Sequence, residues 1–364
     1  PTRRSSDLRE IGVARTTLVA IEQGQRRPRT SELRELSRLY RTSINDLLRA
    51  EAVHVDLVAR FRRTSDSEGH EQASSEAMRV LTKLATSASE IENRMGGRVV
   101  PSFPPEKPIA SGPLEQQADD LALELRHRLG LGLTPIIDIV SLVEVELGIK
   151  VFFRPIASTV SGAFVYDPAV GACMLVNSSH GPDRQSMTIV HEIGHFMVNR
   201  ATADVYFGPG EMSREERFVT AFSIGFMLPS AAVRRRFQEF VGQGGVFTIR
   251  HALLMANAFG VSFEAIMRRL EGLQLIPSGT HDSLKDRGFS VEQARQKVGL
   301  EKRQPLLSTP PRSTLLAVEA HRRGIYSEGQ LCEMLVLDRV ELRELLDSLG
   351  GDDLNDEIPI TPPS

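Results

Sequence analysis

The stretch His191-Glu192-Ile193-Gly194-His195 constrains this chain more than any other. It lies in a segment with helical apolar spacing, at Met187, Val190, Gly194, Met197 and Val198. On a helix, side chains at i and i+4 project from one face, so both imidazoles can reach a single metal ion. Glu192 sits one residue further round, beside such an ion and not on it. That place suits a carboxylate that takes a proton from water. Two core or surface histidines that happen to lie four apart would need no further partner. A metal site would need one.

Zinc at a catalytic site usually takes three protein ligands and leaves the fourth position for water. A third ligand is expected from a following helix. Ser213-Arg-Glu-Glu216 opens one that carries Phe218, Val219, Phe222, Phe226 and Met227 and stops at Pro229. Glu216 is the candidate ligand. Its face continues as Val219, Thr220 and Ser223, small or slim residues that would let this helix approach the first closely. Glu215 competes one position away. Ser213-x-x-Glu216 also reads as a capping box, in which the glutamate only closes the helix start.

Asn177-Ser-Ser-His180 through Arg184-Gln-Ser-Met-Thr188-Ile-Val-His-Glu-Ile-Gly-His-Phe, followed by Glu216-x-x-Val-Thr-x-Phe222-Ser-x-x-Phe-Met-Leu-Pro229, resembles the ImmA/IrrE family of zinc metallopeptidases. Those proteins show an Asn-Ser segment, an Arg and Thr just before H-E-x-G-H, and a distal E-x-x-A-N-x-F-A-x-x-L-L-M-P helix. The resemblance implies that His191, His195 and Glu216 bind zinc and that Glu192 is the general base. Val219-Thr220 stands where the family has Ala-Asn, and Ser223 where it has Ala. If the family's Asn orients a histidine ligand, the Thr220 hydroxyl takes that place here.

Charge divides the chain unevenly. Residues 1–63 hold 14 Arg against 8 acidic residues, an excess of +6 in a chain whose overall charge is −3. A basic module on an acidic body points to nucleic acid at one end. Helices are expected at Leu8–Ile11, Arg15–Gln23, Ser31–Tyr40 and Ser43–Ala50, with a turn at Gly12-Val13-Ala14 and a stop at Gly24. A helix, a tight turn and a second helix is the geometry that places the second helix in the major groove. The run Gly12-Val-Ala-Arg-Thr-Thr-Leu-Val-Ala-Ile-Glu-Gln-Gly-Gln-Arg-Arg-Pro28 resembles the recognition helix and loop of XRE-type regulators. That resemblance implies base contacts from Arg15, Thr16 and Thr17 and backbone contacts from Gln25, Arg26 and Arg27. Such heads have another helix before residue 6, where this chain has only Pro1-Thr-Arg-Arg-Ser, so the head is expected to lack it. They commonly act as dimers, which leaves a homodimer open.

The rest reads as a mostly α chain with a small β-sheet (α+β). After the head (1–63), residues 64–115 form a connector with an amphipathic helix at Glu76–Met95 and a Pro-rich stretch at Pro101–Pro113. A zincin-like peptidase core is expected over 116–275, with helices at Gln116–Leu129 and Pro135–Leu147 and strands at Ile149–Phe153, Val160–Tyr166 and Cys173–Val176. Further helices at Ile249–Phe259 and Phe263–Leu270 have a helix-turn-helix outline. So do Thr314–Arg323, Ser327–Leu335 and Arg339–Leu349 in a C-terminal helical region (276–349). Neither set carries an Arg/Lys-rich face, so both are read as packing helices. The tail 350–364, rich in Asp and Pro, is expected to be disordered. No apolar run has membrane-spanning length, no signal peptide opens the chain, and Cys173 and Cys332 lie far apart as free thiols, so a cytoplasmic location without membrane contact is expected. The whole reads as a DNA-binding regulator with a zinc endopeptidase domain that cuts a partner repressor or regulator. The alternative is a DNA-binding regulator whose metal site is structural or sensory.

Overall fold

The computed structural model describes residues 15–40, 44, 47, 68–96, 101, 103–200, 204–206, 213–242, 245–301 and 311–349. The chain divides into two compact units, residues 1–54 and 55–364. In the first, α1 (Arg15–Glu22) is followed by Gly24, whose φ of +70° is the left-handed stop that glycine adopts without a Cβ penalty. Then α2 (Thr30–Tyr40) begins. The expected helix at 8–11, the residues before it, most of the expected helix at 43–50 and the tail 350–364 lie outside the described residues.

The second unit is built around a four-stranded mixed sheet. Its strands are β1 (Lys150–Arg154), β2 (Gly162–Asp167), β3 (Gly171–Asn177) and β4 (Asp204–Tyr206), in the order β1-β3-β2-β4. β1 runs parallel to β3, with Phe152 opposite Leu175. β2 runs antiparallel to both β3 and β4, with Ala163 opposite Leu175 on one side and Val205 on the other. Three of these strands match the sequence expectation; β4 was not foreseen.

Side chains alternate across a strand with period two. Val151, Phe153, Phe164, Met174 and Val176 join one core with α5 (Pro182–Asn199), the helix that carries His191. Phe152, Ala163, Val165 and Leu175 are equally buried and turn to the other face, against the long helix α3 (Glu68–Met95). Both faces of this small sheet are therefore covered. That is why its strands read as near-continuous apolar runs.

α3 is longer and more deeply buried than its composition implies. Ala77, Met78, Leu81, Leu84, Ala85, Ala88 and Ile91 are all at most 3% exposed. Their three-to-four spacing makes one continuous stripe. Near its end, Glu92 is buried and pairs with Lys150 of β1 at 3.0 Å and with Arg312 at 3.0 Å. A buried carboxylate persists because such partners offset its lost hydration.

α4 (Leu114–Arg128) packs against α6 (Arg214–Met227), and Arg126 ties them by donating to the Phe226 carbonyl at 2.7 Å. The helix expected at Pro135–Leu147 is shorter. Asp138 accepts from the Ser141 amide at 3.0 Å and starts a single α turn (Ile139–Ser141), which runs into a π turn at Leu142–Glu146. Residues 135–138 stay outside it, and Ile137 is 98% exposed.

After Pro229 come α7 (Ser230–Val241), α8 (Ile249–Phe259), α9 (Phe263–Gly272), α10 (Thr280–Asp286) and α11 (Val291–Val298). α8 and α9 bury Leu253, Phe259, Ile266 and Leu270 in the same core as α5, as packing helices do. The last three, α12 (Arg312–Arg322), α13 (Glu328–Leu335) and α14 (Arg339–Leu349), share a second core with Ile91 of α3. No described helix is long and apolar enough to cross a membrane.

Candidate metal centre

α5 starts at Gly181-Pro182, with Pro in the first turn where its missing N–H is not needed. Every residue from Thr188 to Val198 along it is buried. His191 is 2% exposed, Glu192 0% and His195 4%. Two imidazoles and a carboxylate at such depth demand compensation.

α6 supplies it. Its first turn is fixed by the Ser213 hydroxyl, which accepts from the Glu216 amide at 3.1 Å. The backbone half of the capping box is thus present, yet the Glu216 side chain turns towards the histidines. Its Oε2 lies 3.2 Å from His191 Nε2 and its Oε1 3.1 Å from His195 Nε2. The two Nε2 atoms are 3.2 Å apart. These residues form a group that could hold a metal ion. Glu215, the competing candidate, faces the other nitrogen of His195: its Oε1 lies 3.3 Å from Nδ1.

Two glycines permit this convergence. A Cβ on Gly194 would fall 2.7 Å from Val219 Cγ1 and 3.1 Å from Phe222 Cδ1, so its absence lets α6 approach α5. On β2, a Cβ on Gly162 would fall 2.5 Å from Thr188 Cγ2 and 3.3 Å from Glu192 Oε1. Glu192 thus lies over the sheet, on the helix between the two histidines in sequence.

β4 closes the far side. The Tyr206 ring stacks on His191 with centroids 3.7 Å apart and planes 23° apart. Burial, then the Glu216 and Glu192 charges, push its phenol up to about 12. Burial also lowers His191 to about 4. Burial alone would raise the Glu216 carboxyl, but its hydrogen bonds with His191 and His195 outweigh that and hold it well below the carboxylate range.

The neighbouring motif residues do structural work. Asn177 is fully buried and its Nδ2 donates to the Val160 carbonyl at 2.8 Å, while its Oδ1 accepts from Ser179 N at 3.0 Å. Gln185 donates to the His180 carbonyl at 2.8 Å and pins the same turn to α5. Arg184 reaches Ser161 Oγ at 2.8 Å, and the Thr188 hydroxyl donates back to the Arg184 carbonyl at 2.8 Å. Thr220 lies one turn after Glu216 and is half-buried.

In the head, Thr16 is exposed and Thr17 half-buried on α1; Arg15 opens that helix, with its side chain outside the described set. Gln25 and Arg27 are exposed. Arg26 is held inward by an ion pair with Glu32 at 2.9 Å, and Glu32 also accepts from the Arg29 amide at 2.7 Å. Arg26 therefore braces the loop.

Fold and donor set define the class: a metallopeptidase-type domain joined to a DNA-binding helix-turn-helix. Residues 145–271 match the family profile described as the IrrE N-terminal-like domain, and residues 8–47 match that described as helix-turn-helix. Residues 8–47 are thus an XRE-type helix-turn-helix head and residues 145–271 an ImmA/IrrE-like metallopeptidase domain. No curated protein matches the chain.

Proposed function

We propose that this is a cytoplasmic transcriptional regulator whose zinc-dependent endopeptidase domain cuts a partner repressor or related regulatory protein. The observation that carries this reading is the triangle of His191 Nε2, His195 Nε2 and Glu216, with sides of 3.1–3.2 Å. Zinc bonds of about 2.0–2.1 Å at tetrahedral angles require donors about 3.3–3.4 Å apart. The triangle fits with a shift of tenths of an ångström. Three protein donors of mixed nitrogen and oxygen type leave the fourth position for water, as catalytic sites do. When bound, zinc supplies Lewis acidity, which polarises a peptide carbonyl and makes water a better acid.

The chain's own residues supply the rest. Glu192, buried beside the triangle, takes the proton of the attacking water and delivers it to the leaving amine nitrogen. Tyr206 keeps the His191 ring in place by stacking. In the head, Arg15, Thr16 and Thr17 face base edges, and Gln25 and Arg27 contact phosphate.

The test measures zinc per chain and cleavage of a partner regulator together. Glu192→Gln keeps one zinc and lowers cleavage by roughly 10²–10⁴-fold. Glu216→Ala loses the zinc. Cleavage that survives Glu192→Gln would end the assignment, and a wild-type chain that binds no zinc would end it sooner.

A further inference from the structure

Resting on the zinc reading above, we infer that Glu215 is the positioning residue of the metal centre. It holds His195 from behind, through Nδ1, and so sets how tightly the ion is held.

A neutral imidazole carries one N–H, on either nitrogen. Only the tautomer with the proton on Nδ1 leaves a lone pair on Nε2 for a metal. His195 Nε2 points at the triangle, 3.1 Å from Glu216 and 3.2 Å from His191 Nε2. Its Nδ1 is 3.3 Å from Glu215 Oε1. A carboxylate there accepts a hydrogen bond from Nδ1–H, selects the ligating tautomer and fixes the ring plane.

Placement makes the contact a built one. Glu215 and Glu216 are consecutive in the first turn of α6, where the helix N-terminus favours negative charge. Successive helical residues diverge by about 100°, so one helix start sends one carboxylate to the front of the site and one behind His195. The two histidines are secured differently: His191 by the Tyr206 ring and His195 by Glu215. The Glu215 side chain is 35% exposed against 5% for His195, so the carboxylate keeps partial contact with water while the ring does not. The carboxylate against the His195 ring is that of Glu215, in the turn before Thr220 on the same helix.

The experiment measures zinc dissociation constants of the full chain by competition with a chromophoric chelator. It compares wild type, Glu215→Gln, Glu215→Ala and Glu216→Ala, with cobalt(II) spectra of each. Glu215→Ala is expected to keep one site but weaken it by about 10–100-fold, and to shift the cobalt bands. Glu215→Gln, which retains an acceptor, should restore most of the affinity. Far-UV circular dichroism matching wild type separates this from misfolding. An affinity for Glu215→Ala equal to wild type overturns the inference. So does zinc lost in Glu215→Ala but retained in Glu216→Ala, which would make Glu215 the ligand. Zinc absent from wild type would instead overturn the underlying metal reading.

Discussion

At the scale of single residues, the centre is a set of groups too close together to be stable alone. Two imidazole nitrogens and a carboxylate within 3.2 Å of one another cannot all be served by ordinary neutral hydrogen bonds. A bound cation would resolve the conflict; without one, burial decides the protonation of His191. His191 shows the direction. Burial lowers it from 6.5 to about 4, so between those values the unfolded chain holds a proton on His191 that the folded metal-free chain does not. Stability rises with pH wherever the unfolded state binds more protons. The contribution of His191 is therefore complete above about pH 6.5 and is lost as pH falls towards about 4. Urea melts of the metal-free protein at pH 7.5, 6 and 5 should show this decline, and His191→Asn should flatten it over that window. A decline untouched by His191→Asn would move the cause to another group. Glu216, held low by the histidines, adds its own loss at more acidic pH.

At the scale of elements, the centre depends on two helices meeting closely. Gly194 is the contact: a Cβ there would lie 2.7 Å from Val219 Cγ1. Gly194→Ala gains about 1 kcal/mol of helix propensity, but overpacking of this kind costs about 1–3 kcal/mol and forces α6 away from the histidines. Lower thermal stability together with weaker zinc binding is the expected result. Unchanged zinc affinity would show that the helices can separate without moving Glu216. The histidine pair was legible in sequence because its spacing matches the helical period, and so was the small-residue face at Val219, Thr220 and Ser223. Glu216 was legible too as the candidate third ligand, with Glu215 competing; the place of Glu215 behind His195 was not. Both stand in one first turn, and only the placement of α6 against α5 shows which carboxylate faces Nε2 and which Nδ1. β4 escaped notice because three residues, Asp204–Tyr206, are too short to show an alternating pattern. The burial of α3 was hidden by Ala77, Ala85, Ser87, Ala88 and Ser89, small residues that lower its hydrophobicity while allowing close packing. Pro135–Leu147 misled in the other direction. Its apolar residues suit a helix, but Asp138 starts the helical turn late.

At the scale of the whole molecule, the second unit has one mechanical axis, α3. It lies on the sheet with one face and supports α12, α13 and α14 with another. The links between these parts are specific. Tyr326 donates to buried Glu90 at 3.2 Å, and Arg312 joins Glu92, which also pairs with Lys150 of β1. Glu144 adds a backbone tie, accepting from the Arg312 amide at 2.8 Å and the Val151 amide at 3.3 Å. A three-helix region attached this way should not melt alone, because its loss would strip α3, take Tyr326 away from buried Glu90 and take Arg312 away from buried Glu92. Leu331 of α13 is fully buried in that second core. Leu331→Ala therefore removes roughly 2–5 kcal/mol from the whole second unit. Its effect should appear at the metal centre even though Leu331 belongs to the other core. Thermal unfolding followed by helical circular dichroism and by zinc release should give coincident transitions in wild type, and both should move down together in Leu331→Ala. If zinc release kept its midpoint while part of the helical signal melted earlier, residues 312–349 would be an independent domain, and α3 would be only the surface it rests on.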